Sequence, residues 1–184
     1  GAAPGVVPGS VLAKFVGSPA DKALFRQGYY HVEGQASQLA ALCLEAKPGE
    51  TVLDLCAAPG GKTLLLAEEM QGKGRLLSCD VTESRVQLIA KAVERMDFAD
   101  CVETLCNDAT KPNPKLPAAD RILVDAPCSG LGILAKKPDI RYKSLPKARH
   151  DELLATQSAI LDTAASMLKP GGRLVYSTCT IDPA

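Results

Sequence analysis

No apolar run in this chain approaches membrane-spanning length, and the N-terminus lacks a basic segment followed by a hydrophobic stretch. A soluble, cytoplasmic protein with no membrane partner is expected. No Cys-x-x-Cys pair occurs, and the seven cysteines (Cys43, Cys56, Cys79, Cys101, Cys106, Cys128, Cys179) are odd in number, which argues against a disulfide frame and a zinc site. No metal is expected, and most of these thiols read as small buried hydrophobes in a reducing compartment. The dinucleotide fingerprint Gly-x-Gly-x-x-Gly is missing, as is the P-loop pattern Gly-x-x-x-x-Gly-Lys-Ser/Thr. A pyrophosphate ligand is therefore disfavoured, and with it a dinucleotide oxidoreductase.

What is present suits one domain: 184 residues, 46% of them hydrophobic, with a net charge of zero. The zero hides an uneven distribution. Between Lys136 and Arg149 six basic residues (Lys136, Lys137, Arg141, Lys143, Lys147, Arg149) face one acid, Asp139, which leaves the remainder at −5. A basic segment on an acidic body can orient toward an anionic polymer, while a merely solvated loop is the plain alternative. Residues 1–27 show no sustained period and read as a linker or the tail of an upstream domain.

The rest is organised around Thr51 to Lys62, TVLDLCAAPGGK. Thr51 to Leu55 is β-branched and apolar, as in a buried parallel strand. Ala57-Ala58-Pro59-Gly60-Gly61 is small and able to bend sharply, and Lys62 opens a helical run to Glu69. Strand, tight glycine loop and helix make a nucleotide-cradling unit, in which backbone N–H groups lie close to a ligand. Asp80 closes a second predicted strand, Arg75 to Ser78, where an acid accepts hydrogen bonds from a ribose in such folds. Together these suggest a ligand with a ribose and an adenine but no phosphate clamp.

Periodicity places a helix from Glu33 to Leu44 and another after Thr82, its expected N-cap, with Val86, Ile89, Ala90 and Val93 inward. Further strands follow at Val102 to Leu105, Arg121 to Val124 and Arg173 to Ser177. A helix from Lys147 to Leu168, with Leu153, Leu154, Ile160, Leu161, Ala164, Ala165 and Leu168 on one side, ends at Lys169-Pro170-Gly171-Gly172. Alternating strands and helices give an α/β fold with a doubly wound, mainly parallel sheet. Ligands of such sheets gather beyond the carboxyl ends of the strands. The residues there are Cys56 to Gly61, Asp80, Asp108, Asp125 to Cys128, and Cys179. If the fourth and fifth strands are neighbours, Cys128 and Cys179 share one edge. A thiolate there could attack an electron-poor carbon, such as carbon 6 of cytosine, and the second thiol could serve a separate step. The residues alone leave open which thiol does which, and a space-filling role for both is the bland alternative.

VLDLCAAPGGKT, DAPCSG and YSTCT resemble three motifs of the Nol/Nop/Sun family of RNA cytosine-5 methyltransferases, most closely its bacterial ribosomal-RNA branch. GYYHVEGQASQL, Gly28 to Leu39, is similar to the helix before that family's central strand. The resemblance covers residues 28–184 and implies a Rossmann-like methyltransferase domain using S-adenosylmethionine, with RNA as substrate: ribosomal RNA, or else transfer RNA. It implies that Cys56, Ala57, Ala58, Pro59, Gly60, Gly61 and Lys62 hold the cofactor with Asp80 on the ribose, Asp108 on the adenine side, and Asp125 between cofactor and cytosine. It assigns attack to Cys179 and release to Cys128, with Lys62 near both ligands. The chain departs from the family pattern at Glu33-Gly34, commonly Gln-Asp. It also stops at Ala184, after Asp182-Pro183, where the family continues through further strands, so a truncated catalytic domain is expected, lacking its last strands, binding cofactor poorly and inactive. A non-catalytic RNA-binding or scaffold module on the same fold is the rival from another class. An amino-group methyltransferase would carry Asn-Pro-Pro-aromatic in place of Asp125-Ala126-Pro127-Cys128. A DNA cytosine methyltransferase would place its nucleophile in the Pro-Cys motif.

Overall fold

Strands β3 (Thr51–Asp54), β4 (Arg75–Asp80), β5 (Val102–Cys106), β6 (Ala119–Asp125) and β7 (Leu168–Ser177) form one sheet in the order β5-β4-β3-β6-β7, and every neighbouring pair is parallel. They do so in a computed structural model that describes residues 2–14, 16–142 and 146–181. Lys143 of the basic segment and the terminal Asp182, Pro183 and Ala184 lie outside the described residues. Because strand side chains alternate, each strand feeds two cores. Val52, Leu76, Val102 and Leu123 meet helices α2 (Gln35–Leu42), α3 (Gly61–Glu69) and α4 (Glu83–Arg95) on one face. Leu53, Leu77, Ile122 and Val124 meet Ile160 and Ala164 of α5 (Lys147–Met167) on the other. Both faces being covered explains the near-continuous apolar runs of β3 and β6. The expected doubly wound sheet is present, with the glycine loop leaving its central strand.

Three local readings change. Thr82 precedes α4, but its side chain caps nothing and instead faces Ser84 Oγ at 3.4 Å. The apolar side of α5 is narrower than expected: Ile160 and Ala164 are buried, whereas Leu154 and Leu161 are exposed. Leu154, Leu161 and Ala165 sit one residue on from Leu153, Ile160 and Ala164, about 100° further round the helix, beyond the reach of a flat sheet. Lys169-Pro170-Gly171-Gly172 does not separate helix from strand, because pairing already begins at Leu168. Ala119 pairs with Leu168 and Arg121 with Arg173, so these four residues bulge out of register, and Lys169 Nζ bonds Asp120 at 2.9 Å. Residues 2–13, within the stretch read as a linker or tail, hold an antiparallel pair, β1 (Ala2–Pro4) with β2 (Val11–Ala13). The short helix α1 (Ala23–Arg26) follows, its Phe25 ring lying 3.9 Å from the Arg95 guanidinium of α4. No described helix is long and apolar enough to cross a membrane.

Candidate active site

The loop after β3 is folded by its own backbone and by its neighbour strand. Gly60 N–H donates to Ala57 O at 2.8 Å, and Ala57 N–H donates to Cys79 O at 2.9 Å. Gly60 has φ +106°, in the left-handed region, and a Cβ on it would lie 3.3 Å from Ile89 Cα; only glycine fits both demands. Asp80 ends β4 almost wholly buried beneath this loop. Its carboxylate accepts from Ala58 N–H at 3.0 Å and Val81 N–H at 2.8 Å, and pairs with Arg85 Nε at 2.7 Å. Asp80 thus fixes the loop's position. Arg85, one turn into α4, was not singled out in the sequence, because an arginine on an exposed helical face carries no local mark of a site.

Above the loop lies a cavity of about 490 Å³, walled by Cys56 to Pro59, Gly61, Lys62 and Asp125. Of the expected cofactor residues, this cavity gathers Cys56, Ala57, Ala58, Pro59, Gly61, Lys62 and Asp125. Gly60, Asp80 and Asp108 do not line it. Asp108 turns back on its own loop, accepting from Thr110 Oγ1 at 2.6 Å and pairing with Lys111 at 3.0 Å. The cavity also has a wall residue that sequence reading passed over. Asp54, at the end of β3, is 0% exposed. Thr63 Oγ1 donates to its Oδ2 at 2.8 Å, while its Oδ1 has no partner among the described residues. Burial pushes this carboxyl up to about 7, against the pull of the Thr63 hydrogen bond and the Lys62 charge. An acid with one buried, unpartnered oxygen beside a cavity is poised to accept from a cationic ligand. Burial also raises the Cys56 thiol to about 12, with Asp54 adding to the effect, so Cys56 is a wall and not a nucleophile.

Across the sheet from Asp54, Lys62 Nζ donates to Asp125 Oδ2 at 2.7 Å, the lysine side chain only 14% exposed. Burial pulls the Lys62 pKa down, but the Asp125 hydrogen bond and charge outweigh it and hold the group above its ordinary value. Ser177 Oγ donates to the other oxygen, Oδ1, at 3.0 Å. From Asp125 the chain runs through Ala126 and Pro127, whose carbonyl accepts from Gln157 Nε2 of α5 at 2.7 Å, to Cys128. Since β6 and β7 pair with Asp125 opposite Ser177, Cys128 and Cys179 emerge side by side, their sulfurs 2.9 Å apart. Ser129 Oγ and Thr180 Oγ1 bond at 2.6 Å, and Gly132 N–H donates to Cys179 O at 3.0 Å, locking the two loops together. Burial, and then the hydrogen bond with Cys128, push the Cys179 thiol up to about 11. At neutral pH the resting Cys179 is therefore a thiol. Two adjacent sulfurs, an ammonium–carboxylate pair and an open cavity are equipment for covalent addition with proton movement.

Residues 41–184 match the model of a family described as 16S rRNA methyltransferase RsmB/F. The chain belongs to this family. Among its curated relatives, the probable ribosomal RNA small subunit methyltransferase B of Bacillus subtilis is 42% identical over 170 residues, which is 90% of this chain and 37% of that protein. The chain thus spans little more than a third of the relatives it matches. A crystal structure of PH0851 superposes with a TM-score of 0.84 at 38% identity, covering 93% of this chain and 38% of the other. NSun6 from Pyrococcus horikoshii, crystallised with SFG, superposes with a TM-score of 0.81 at 33% identity, covering 91% and 42%. Family membership accords with the three motifs from which it was expected, and all three converge on the site just described.

Proposed function

We propose that this chain is the catalytic part of an RNA methyltransferase that moves a methyl group from S-adenosylmethionine to carbon 5 of a cytosine, with residues 28–184 as the methyltransferase domain. Ribosomal RNA is the substrate class carried by the relatives' names. The observation that carries the reading is the pair of sulfurs 2.9 Å apart beside the Lys62–Asp125 pair.

The cofactor fits the residues present. SFG, found with NSun6, is an analogue of S-adenosylmethionine. Here Gly61 puts no Cβ into the cavity, and Asp54 Oδ1 lacks a partner among the described residues. Asp54 and Lys62 would hold its amino-acid end, with Asp80 toward its ribose and Asp108 toward its adenine. When bound, it supplies the methyl group as an electrophilic carbon on a sulfonium.

The chain's own groups do the rest. Cys179, exposed at the rim, gives up its thiol proton to solvent as its sulfur bonds carbon 6 of the base, and the ring's electron pair moves toward carbon 5. Asp125, oriented by Ser177 and taking a proton from the Lys62 ammonium, donates it in a hydrogen bond to ring nitrogen 3 and so offsets the charge that develops. Cys128, once its own thiol proton has passed to solvent, takes the carbon 5 proton, and the carbon 6–sulfur bond then breaks to restore the ring and free Cys179. The base must be presented unstacked to reach these sulfurs. Lys137 and Arg141, exposed in the segment after Cys128, are suited to the RNA backbone.

The test is denaturing electrophoresis after incubation with cofactor and unmodified ribosomal RNA. Cys179→Ala is expected to give neither 5-methylcytosine nor a covalent species. Cys128→Ala is expected to trap a protein–RNA adduct that survives denaturation. An adduct in the Cys179 variant and none in the Cys128 variant would reverse the two roles. Binding of RNA and cofactor with neither adduct nor methyl transfer by the parent would favour the scaffold reading.

A further inference from the structure

Two charged cavity residues come from outside the three motifs. Glu33, just before α2, lays its carboxylate against Gly61, where a Cβ would collide with Oε2. Lys136, the first residue of the basic segment, reaches across the cavity mouth until its Nζ lies against Gly34, where a Cβ would crowd it. Lys136 is thus not grouped with Lys137 and Arg141 as an outward RNA contact. Gly34 and Gly61 are the openings through which these charges enter.

Neither side chain makes a hydrogen bond or ion pair with another described residue; Glu33 bears on Lys62 only as a nearby negative charge. An acid and a base brought from segments about a hundred residues apart to one cavity, and left unpaired, are the complement of a ligand carrying both charges. The buried, unpartnered Oδ1 of Asp54 in the same cavity shows independently that an acceptor there awaits a donor.

We propose that Glu33 and Lys136 form a clasp on the amino-acid end of the cofactor, the carboxylate of Glu33 receiving the α-ammonium and the ammonium of Lys136 the α-carboxylate. The clasp rests on the cofactor reading above, and it makes Lys136 the link between the basic segment and the cavity. A ligand lacking the amino-acid end cannot feel it.

Isothermal titration of this chain with S-adenosylhomocysteine and with 5′-methylthioadenosine, which keeps the nucleoside and sulfur but lacks the amino acid, tests this directly. Glu33→Gln and Lys136→Met are each expected to weaken S-adenosylhomocysteine about tenfold, one charge-assisted contact, and to leave 5′-methylthioadenosine within twofold. Lys136→Arg should retain most of the parent's affinity. The clasp is overturned if S-adenosylhomocysteine binding is unchanged in both variants, or if both ligands weaken in parallel. Failure of the parent to bind either nucleoside would remove the cofactor reading itself, and the clasp with it.

Discussion

The two sides of this site are built to opposite standards. Beneath the glycine loop, Asp80 is almost wholly buried and its two oxygens meet two backbone amides and a guanidinium. At the rim of β6 and β7, Cys179 is exposed and the sulfurs meet chiefly each other. A small ligand gains from a preformed cradle, since every group fixed in advance is one that binding need not order. A base arriving on a polymer needs access instead, and its nucleophile has to stand where the polymer can reach. Lys62 spans the two, rooted in the loop's helix and bonded to the carboxylate that starts the thiol side.

Cutting that span should have the largest effect. Lys62→Met leaves Asp125 with only Ser177 among the described residues and removes the cation of the proposed site, so methyl transfer is expected to fall about 10²–10³-fold, read as initial rate with tritiated cofactor. A loss confined to cofactor affinity would place Lys62 wholly on the loop side. Next, Asp80→Ala should weaken cofactor binding about tenfold or more in titration calorimetry, because the loop loses its anchor at Ala58 along with the acid itself. Affinity equal to the parent's would show that the cradle holds without its anchor.

A pH series sharpens the loop side further. Asp54 is protonated below about 7 in the folded chain, and a cationic ligand group prefers it ionised. Cofactor affinity should therefore rise by several-fold between pH 6 and pH 8 and level off above, a dependence absent in Asp54→Asn. The stability consequence has the same origin and the opposite sign. The folded pKa lies above that of an unfolded carboxyl, so the native state holds the extra proton between about 4 and 7, and stability falls as pH rises through that window. Thermal melts of Asp54→Asn should lack that fall. The smallest effect belongs to the outer charges: Lys137→Gln with Arg141→Gln should reduce the salt slope of RNA binding by about 2, with cofactor affinity unchanged. An unaltered slope would make the segment a solvated loop.

Most of the scaffold was legible in the sequence because its signals are local. The apolar runs of β3 and β6, the small residues of the loop and the helix-forming run after Lys62 each specify their own conformation, and alternation does the rest. The gathering of Asp125, Cys128 and Cys179 followed from one assumption, that two strands are neighbours, and the sheet order supplies it. Asp54 was missed for a physical reason. Within VLDLC it reads as one more strand residue, and its burial and empty oxygen are set by α3 and by the cavity, which no short stretch encodes. Glu33 and Lys136 meet the loop only through long-range folding, and the sequence marked each for something else: a departure from a motif, and a member of a charge run. The N-terminal pair β1–β2 went unseen because three-residue strands are too short to show a period.

The four-residue bulge in β7 gives the protein a tolerance at one end of a measuring rod. Both sulfurs are set by counting from the same rung, three residues beyond Asp125 on one strand and two beyond Ser177 on the other. A slip of one rung would move a sulfur by about 3.3 Å and turn its side chain to the opposite face. The slack between Leu168 and Arg173 sits at the far end of the rod, before the rungs from Arg121 to Asp125 begin. Residues gained or lost in that bulge change only how much chain is looped out at Asp120, so length variation entering from α5 is absorbed before it reaches the alignment on which the sulfur spacing depends.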